Sequence, residues 1–185
     1  MVARSVMSLR MESRLSCRCL LIPVFLCSAV MKKIMFVCHG NICRSPMAEF
    51  IMKDLVRKAF VADEFHIASS ATSREEIGNP VYPPAAYTLS MHGIGCNGHS
   101  ARQLKPDDCK EYDMIVVMED YNIRNLERVV GLGCDKVWKL LDFVEETPRQ
   151  RCGRDISDPW YHGNFDKTYK EIMAGCKALL RYLGY

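Results

Sequence analysis

Cys38 and Arg44 are separated by five residues, a spacing that can place a nucleophile and a phosphate-binding cation in one loop. A thiolate can attack phosphorus, and a guanidinium can hold two phosphate oxygens at once. The spacing alone is not specific, because the chain has ten cysteines and Cys96 and Arg102 are separated in the same way. The surrounding residues must therefore decide whether either pair forms a phosphate site.

The residues around the first pair predict a strand, a loop and a helix in that order. Residues 34–37 are an apolar run typical of a buried parallel strand. Ser45 and Pro46 have the types preferred at a helix cap and at the first helical position, and apolar residues then recur at helical spacing. No strand pattern precedes Cys96 and no clear helix start follows Arg102, so we interpret that second match as coincidence.

The predicted loop is suited to an anion. A loop that ends at a helix N-terminus directs unpaired backbone N–H groups into one concavity, where the helix dipole adds positive charge. The same field is expected to favour the thiolate of Cys38, and Arg44 adds a planar pair of donors that lysine lacks. We expect Ser45 to donate its hydroxyl to the sulfur. Gly40 permits close backbone approach, and Asn41 tolerates positive φ.

A second candidate segment lies near the C-terminus. Cleavage of an aryl phosphate by a thiolate needs an acid that protonates the leaving oxygen and later takes a proton from water. Asp155 and Asp158 are the candidates, and we choose Asp158 because a proline and two aromatic residues follow it directly. Trp160 and Tyr161 are expected to form aromatic walls for a phosphotyrosine side chain.

The elements that must position these residues alternate along the chain. Strand patterns at residues 34–37, 65–69, 114–118 and 136–141 alternate with helical patterns, of which the later ones cover residues 85–92, 122–130 and 165–182. This alternation predicts an α/β fold with a parallel sheet, in which ligands bind beyond the carboxyl ends of the strands. Cys38 lies at that edge.

Composition narrows the class of protein further. The 185 residues, 49% of them hydrophobic, suit one compact domain, which we place at residues 32–185. Residues 1–31 hold four arginines and one glutamate, so they account for the whole net charge of +3 and the rest of the chain is balanced. We therefore expect no nucleic-acid partner. No Cys-x-x-Cys zinc signature occurs, and we expect no metal and no cofactor.

The combined motifs resemble the low-molecular-weight protein tyrosine phosphatase family. Residues 37–49 read Val-Cys-His-Gly-Asn-Ile-Cys-Arg-Ser-Pro-Met-Ala-Glu, and residues 158–163 read Asp-Pro-Trp-Tyr-His-Gly. Shorter likenesses occur at residues 69–73, 92–94, 101–103 and 118–122. The resemblance implies a three-layer, Rossmann-like fold with a four-stranded parallel sheet flanked by helices. It also implies hydrolysis of phosphotyrosine in protein substrates, and of small aryl phosphates, by the one domain.

The resemblance also implies roles for individual residues. Cys38 would form a phosphocysteine intermediate, with Asp158 as general acid and then base. Ser69 and His92 match a serine and a histidine that hold the loop asparagine in its unusual conformation, and Cys43 matches a cysteine that forms a reversible disulfide with the nucleophile. The residues expected to contact substrate are His39, Gly40, Asn41, Ile42, Cys43, Ser45, Trp160 and Tyr161.

Three other functions on the same fold remain as alternatives. Arsenate reduction is disfavoured because residues 119–126, after the third strand, contain no cysteine. Phosphoarginine hydrolysis is disfavoured because Ile42 stands where those relatives carry threonine. A catalytically inactive phosphoprotein-binding module is disfavoured because Cys38, Arg44 and Asp158 are all present. One departure from the family is the run of residues 74–76, Arg-Glu-Glu, where some members carry an aromatic residue, so we expect one polar pocket wall.

The N-terminal segment bears on location. Arginines followed by an apolar run at residues 19–26 resemble a secretory signal, and the run is too short to span a membrane. Met31 nevertheless looks like a natural start, and the seven cysteines that follow are an odd number, typical of a reducing compartment. We therefore expect residues 1–31 to be a leader or non-structural extension and the protein to be a cytoplasmic monomer, with secretion as the alternative.

Overall fold

The structure, a computed structural model, describes residues 31–145 and 147–185. The leader predicted for residues 1–31 therefore lies, except for Met31, outside the described residues. The part of the chain that the structure describes contains no helix long and apolar enough to span a bilayer.

The described residues form one four-stranded sheet in which every strand pair is parallel. The strands are β1 (Lys32–Cys38), β2 (Phe65–Ala71), β3 (Met114–Val117) and β4 (Val137–Lys139), in the spatial order β2-β1-β3-β4. β2 lies on one side of β1, and β3 and β4 lie on the other, so the strand order reverses at β1. A crevice opens at the carboxyl ends of the strands at such a reversal, and β1 ends there at Cys38.

Helices follow the strands. They are α1 (Arg44–Lys58), α2 (Pro83–Met91), α3 (Asp108–Glu111), α4 (Asp120–Val130), α5 (Pro159–His162) and α6 (Phe165–Tyr182), and two 3-10 helices cover Ala62–Glu64 and Leu140–Val144. Side chains of β1 alternate between the two faces of the sheet. Ile34 and Phe36 are in the core that includes residues of α1 and α6, whereas Met35 and Val37 are in the core that includes residues of α4. The predicted three-layer parallel α/β fold is confirmed.

Two local predictions differ from the structure. The fourth strand ends at Lys139 rather than residue 141, because the Asp142 carboxylate accepts a hydrogen bond from the Lys139 N–H at 2.7 Å and a 3-10 helix begins there. Ser45 does not cap α1, which begins at Arg44 after Cys43 without a side-chain cap. The buried Ser45 hydroxyl lies 3.0 Å from the Cys38 sulfur instead.

Candidate active site

The loop between β1 and α1 is held open around the Cys38 sulfur. The carbonyl oxygens of Cys38, His39 and Ile42 accept hydrogen bonds from the N–H groups of Thr72, Ser73 and Tyr82, at 2.8–2.9 Å. These bonds direct the carbonyls to the outside of the loop. The Asn41 N–H points inward and lies 3.3 Å from the Cys38 sulfur. Cys38 is only 3% exposed, so water can do little to stabilise a thiolate there. The thiolate would depend on hydrogen-bond donors such as this N–H group.

Asn41 gives the loop its shape. Its φ of 59° lies in the left-handed region, which asparagine tolerates better than most residues. Its side-chain NH₂ donates to the hydroxyls of Ser45 and Ser69 at 2.9 and 2.8 Å, and its Oδ1 accepts from the Arg102 N–H at 3.1 Å. The Ser45 oxygen therefore already accepts one bond, and its own hydrogen has two acceptors in reach, the Cys38 sulfur at 3.0 Å and the Ser70 carbonyl oxygen at 3.4 Å. Ser69 itself donates to the buried Glu49 at 2.5 Å.

The histidine that supports this loop is His99, not the predicted His92. His99 Nε2 lies 2.8 Å from the Asn41 carbonyl oxygen. The His92 ring stacks instead on Tyr169, with a centroid distance of 3.8 Å and an angle of 2° between the planes. His92 follows the last residue of α2, which carries it to the α6 side of the core. One signal in the sequence could have pointed to His99. Residues 101–103 are one of the shorter likenesses to the family, and His99 lies two residues before them.

Arg44, the first residue of α1, is 3% exposed, and two carboxylates contact one end of its guanidinium. Its Nη2 donates to Asp158 at 2.5 Å and lies 2.9 Å from Glu119. Burial alone would lower the pKa of Arg44, but the Cys38 sulfur, Glu119 and Asp158 together raise it above the usual value. Its buried Nη1 has no hydrogen-bond partner among the described residues. One side of the fork is therefore available to an anion.

Asp158 is brought to Arg44 by the segment before α5. Its Oδ1 accepts from the Trp160 N–H at 3.1 Å as a helix cap, and its Oδ2 accepts from Arg44. The preceding Ser157 is fixed to α6, because its N–H donates to Glu171 at 2.8 Å and its carbonyl accepts from the Thr168 hydroxyl at 2.9 Å. The carboxylate therefore has a defined place beside the phosphate-binding cation.

These groups meet in a cavity of about 590 Å³. Its lining residues are Cys38, His39, Gly40, Ile42, Cys43, Arg44, Glu75, Glu76, Glu119, Tyr121, Asp158, Trp160 and Tyr161. The predicted site residues outside the lining are Asn41 and Ser45, which hold the loop from behind, and Ser69 and His92. A Cβ on Gly40 would lie 3.2 Å from the Glu76 side chain, so glycine allows the loop and this wall to approach closely.

The cavity walls are partly aromatic and partly acidic. Trp160 is 56% exposed and packs against Tyr82, with 5.3 Å between ring centroids, and Tyr161 is 86% exposed. Glu75 and Glu76 form the polar wall that the sequence predicts, and Glu75 lies 3.2 Å from His39 Nε2. Sequence reasoning missed Glu119 and Tyr121, although Glu119 lies two residues and Tyr121 four residues after the end of β3, at the edge where the site lies.

Cys43 is the second thiol in the cavity wall and is 6% exposed. Burial, followed by the nearby Cys38, raises the pKa of the Cys43 thiol to about 12. Cys43 is therefore a neutral thiol at physiological pH.

The second pair with the same spacing does not form a comparable site. The guanidinium of Arg102 is held by Asp108, with both terminal nitrogens 3.0–3.1 Å from its carboxylate oxygens. Burial raises the pKa of the Cys96 thiol, which disfavours a thiolate there. Within residues 31–145 and 147–185, no cluster of three or more His, Cys, Asp or Glu side chains is arranged to hold a metal ion.

The chain is similar in sequence to known proteins. The family model described as low molecular weight phosphotyrosine protein phosphatase matches residues 33–184. The protein named low molecular weight protein-tyrosine-phosphatase YfkJ of Bacillus subtilis is 36% identical over 151 residues, which cover 81% of this chain and 94% of that protein. A Gallus gallus protein named low molecular weight phosphotyrosine protein phosphatase is 38% identical over 152 residues, 80% of this chain and 94% of that protein.

Solved structures show the same fold. The crystal structure of YfkJ from Bacillus subtilis superposes with a TM-score of 0.75 and 36% identity, over 83% of this chain and 94% of that one. Vibrio vulnificus Wzb in complex with benzylphosphonate superposes with a TM-score of 0.70 and 25% identity, over 82% of this chain and 99% of that one.

Proposed function

Because the chain belongs to the low molecular weight phosphotyrosine protein phosphatase family, we propose that it hydrolyses phosphotyrosine in proteins, and small aryl phosphates, through a phosphocysteine intermediate on Cys38. The observation that supports this most directly is the meeting of Cys38, Arg44 and Asp158 in one cavity. A nucleophile, an anion-binding cation and an acid are the three groups that the reaction requires.

In the first step the Cys38 thiolate attacks phosphorus. The sulfur–phosphorus bond forms as the bond from phosphorus to the tyrosine oxygen breaks, and Asp158 gives its proton to that oxygen. The loop N–H groups and the free side of Arg44 bind the equatorial oxygens, whose charge they stabilise. Asp158 lines the same cavity as Cys38, which places its carboxyl within reach of the leaving group.

In the second step water attacks the phosphocysteine. Asp158, now a carboxylate, takes a proton from that water as the new oxygen–phosphorus bond forms. The sulfur leaves as a thiolate, which the Asn41 N–H and the Ser45 hydroxyl stabilise at 3.3 and 3.0 Å. Inorganic phosphate is then released and Asp158 is again protonated.

The cavity lining supports an aryl substrate. Trp160 and Tyr161 offer ring faces, and the apolar Ile42 lies at the cavity wall, where a threonine would favour phosphoarginine. Wzb, a structural neighbour, is described in complex with benzylphosphonate, an aryl ligand of related shape. We further propose a reducing, cytoplasmic location, which the seven free cysteines of the described residues support.

Turnover by the purified full chain tests this function. We expect hydrolysis of para-nitrophenyl phosphate and of phosphotyrosine peptides, with no activity in Cys38→Ser. Trapping with acid during turnover should leave phosphate on Cys38, detected by mass spectrometry. Preferential hydrolysis of phosphoarginine protein would favour the alternative substrate. Tight binding of phosphotyrosine without turnover would favour a binding module.

A further inference from the structure

Lys139 is a buried cation at the edge of the sheet that holds the active site. It is the last residue of β4, and its side chain is 6% exposed. Its ammonium lies 2.9 Å from an oxygen of Asp120 and 3.0 Å from an oxygen of Asp155. Burial alone would lower the pKa of Lys139, but these two carboxylates raise it above the usual value, so the group is charged at neutral pH. A buried charge of this kind depends on its partners.

The two partners of Lys139 belong to the two segments that reach Arg44. Asp120 directly follows Glu119, and Asp155 lies three residues before Asp158. Glu119 and Asp158 are the carboxylates on the Arg44 guanidinium. The Asp120 N–H also donates to Asp155 at 3.2 Å. The start of α4 and residues 155–158, which carry the catalytic acid, are therefore joined at Lys139 on one side and at Arg44 on the other.

Two other bonds also hold residues 155–158. Ile156 donates its N–H at 2.8 Å to the carbonyl of Met118, which directly precedes Glu119, and Ser157 is fixed to Glu171 of α6. Neither bond neutralises the two carboxylates that face each other across Lys139. Without the ammonium, Asp120 and Asp155, whose side chains are 61% and 47% exposed, would repel each other at close range, with solvent screening part of that repulsion. That repulsion acts to separate the segments bearing Glu119 and Asp158.

We propose that Lys139 is a positioning residue for the catalytic acid, holding residues 155–158 against the start of α4 so that Asp158 meets the leaving-group oxygen. The inference rests on the phosphatase function proposed above. Lys139 does not touch substrate and acts through Asp155 and Asp120. Its loss should therefore weaken acid catalysis more than binding or nucleophilic attack.

The dependence of kcat/KM on the leaving group tests this role in the full chain. Phenyl phosphate has a poor leaving group that needs a proton, whereas para-nitrophenyl phosphate has a good one. In Lys139→Met we expect kcat/KM to fall about tenfold for phenyl phosphate and less than about threefold for para-nitrophenyl phosphate, because acid catalysis contributes mainly to poor leaving groups. Lys139→Arg, which keeps the cation, should recover most of the loss.

Lys136 provides a matched control. It lies just before β4, and its ammonium donates to the Tyr112 carbonyl at 3.2 Å, away from the active site. Lys136→Met should leave the ratio of the two kcat/KM values unchanged. Equal losses on both substrates in Lys139→Met would overturn the proposal, because a general loss of stability moves both substrates together.

A second variant covers a failure of Lys139→Met to fold, which thermal unfolding would reveal. The Asp155 side chain is 47% exposed, so Asp155→Ala removes the contact between residues 155–158 and Lys139 without leaving a cavity in the core. We expect the same selective loss on phenyl phosphate, and an unchanged ratio would overturn the positioning role. If the wild type hydrolyses neither substrate, the phosphatase function itself fails. An active wild type with unchanged ratios in the variants removes only the role of Lys139.

Discussion

Arg44 Nη2 and the Asp158 carboxylate are 2.5 Å apart, although the two residues are separated by 114 positions in the chain. The contact joins the loop after the first strand to the segment before the last two helices. Glu119 lies 2.9 Å from the same nitrogen, while Nη1 has no partner among the described residues. Arg44 can therefore hold the acid with one side of its fork and an incoming phosphate with the other.

Arg44→Lys should be nearly inactive although the charge is kept. A single ammonium cannot bind two phosphate oxygens and retain Asp158 at the same time. We expect kcat/KM for para-nitrophenyl phosphate to fall by about a hundredfold or more, in the range seen when one donor to a transition-state oxyanion is lost. Thermal unfolding of the variant checks that the fold persists. A loss smaller than about fivefold would contradict the bidentate role that this comparison tests.

Asp158→Ala should slow substrates according to their leaving groups. We expect a fall of about a hundredfold or more in kcat/KM for phenyl phosphate and a much smaller fall for para-nitrophenyl phosphate, since general acid catalysis typically contributes factors of that size. Asp166, an exposed carboxylate in the first turn of α6, provides the control, and Asp166→Ala should change neither value. Equal losses on both substrates in Asp158→Ala would remove it from the acid role.

The local part of the site could be predicted from sequence, and the long-range part could not. The strand, loop and helix around Cys38 and Arg44 are encoded by neighbouring residues, so their order was predictable. Glu119 and Tyr121 enter the cavity only because β3 lies next to β1, a pairing that residue patterns do not specify. Ser45 has a type suited to a helix cap, but the nearby sulfur and Asn41 bind its hydroxyl instead.

The histidine pair provides a third prediction. His99 supports the Asn41 carbonyl, whereas His92 stacks on Tyr169. His99→Ala should lower kcat/KM about five- to tenfold, because losing a hydrogen bond of this kind costs about 1 kcal/mol and the strained loop depends on it.

His92→Ala is the matched control for His99→Ala. It should lower the free energy of unfolding by about 1 kcal/mol, through the lost aromatic pair, and leave kcat/KM unchanged. Steady-state kinetics and denaturant unfolding of both variants check the assignment. The reverse pattern, with activity lost in His92→Ala alone, would restore the prediction made from the sequence.

Cys43 is expected to protect Cys38 from irreversible oxidation. Hydrogen peroxide should convert the Cys38 thiolate to a sulfenic acid with release of hydroxide. Burial and Cys38 raise the pKa of the Cys43 thiol to about 12, so Cys43 loses its proton only as its sulfur attacks the sulfenic sulfur. That proton leaves with the sulfenic hydroxyl as water, and a disulfide is formed. Dithiothreitol should therefore restore the activity of the wild type after a peroxide pulse, and mass spectrometry should show the 38–43 disulfide before reduction.

Cys43→Ser lacks this route and should lose activity irreversibly, with sulfinic or sulfonic acid on Cys38. Cys152, an exposed free cysteine, gives the control, and Cys152→Ser should recover as the wild type does. The activity recovered after reduction, measured against peroxide dose, distinguishes the variants. Full recovery of Cys43→Ser at doses that inactivate the enzyme would show that Cys38 needs no partner thiol, and the protective role of Cys43 would then be wrong.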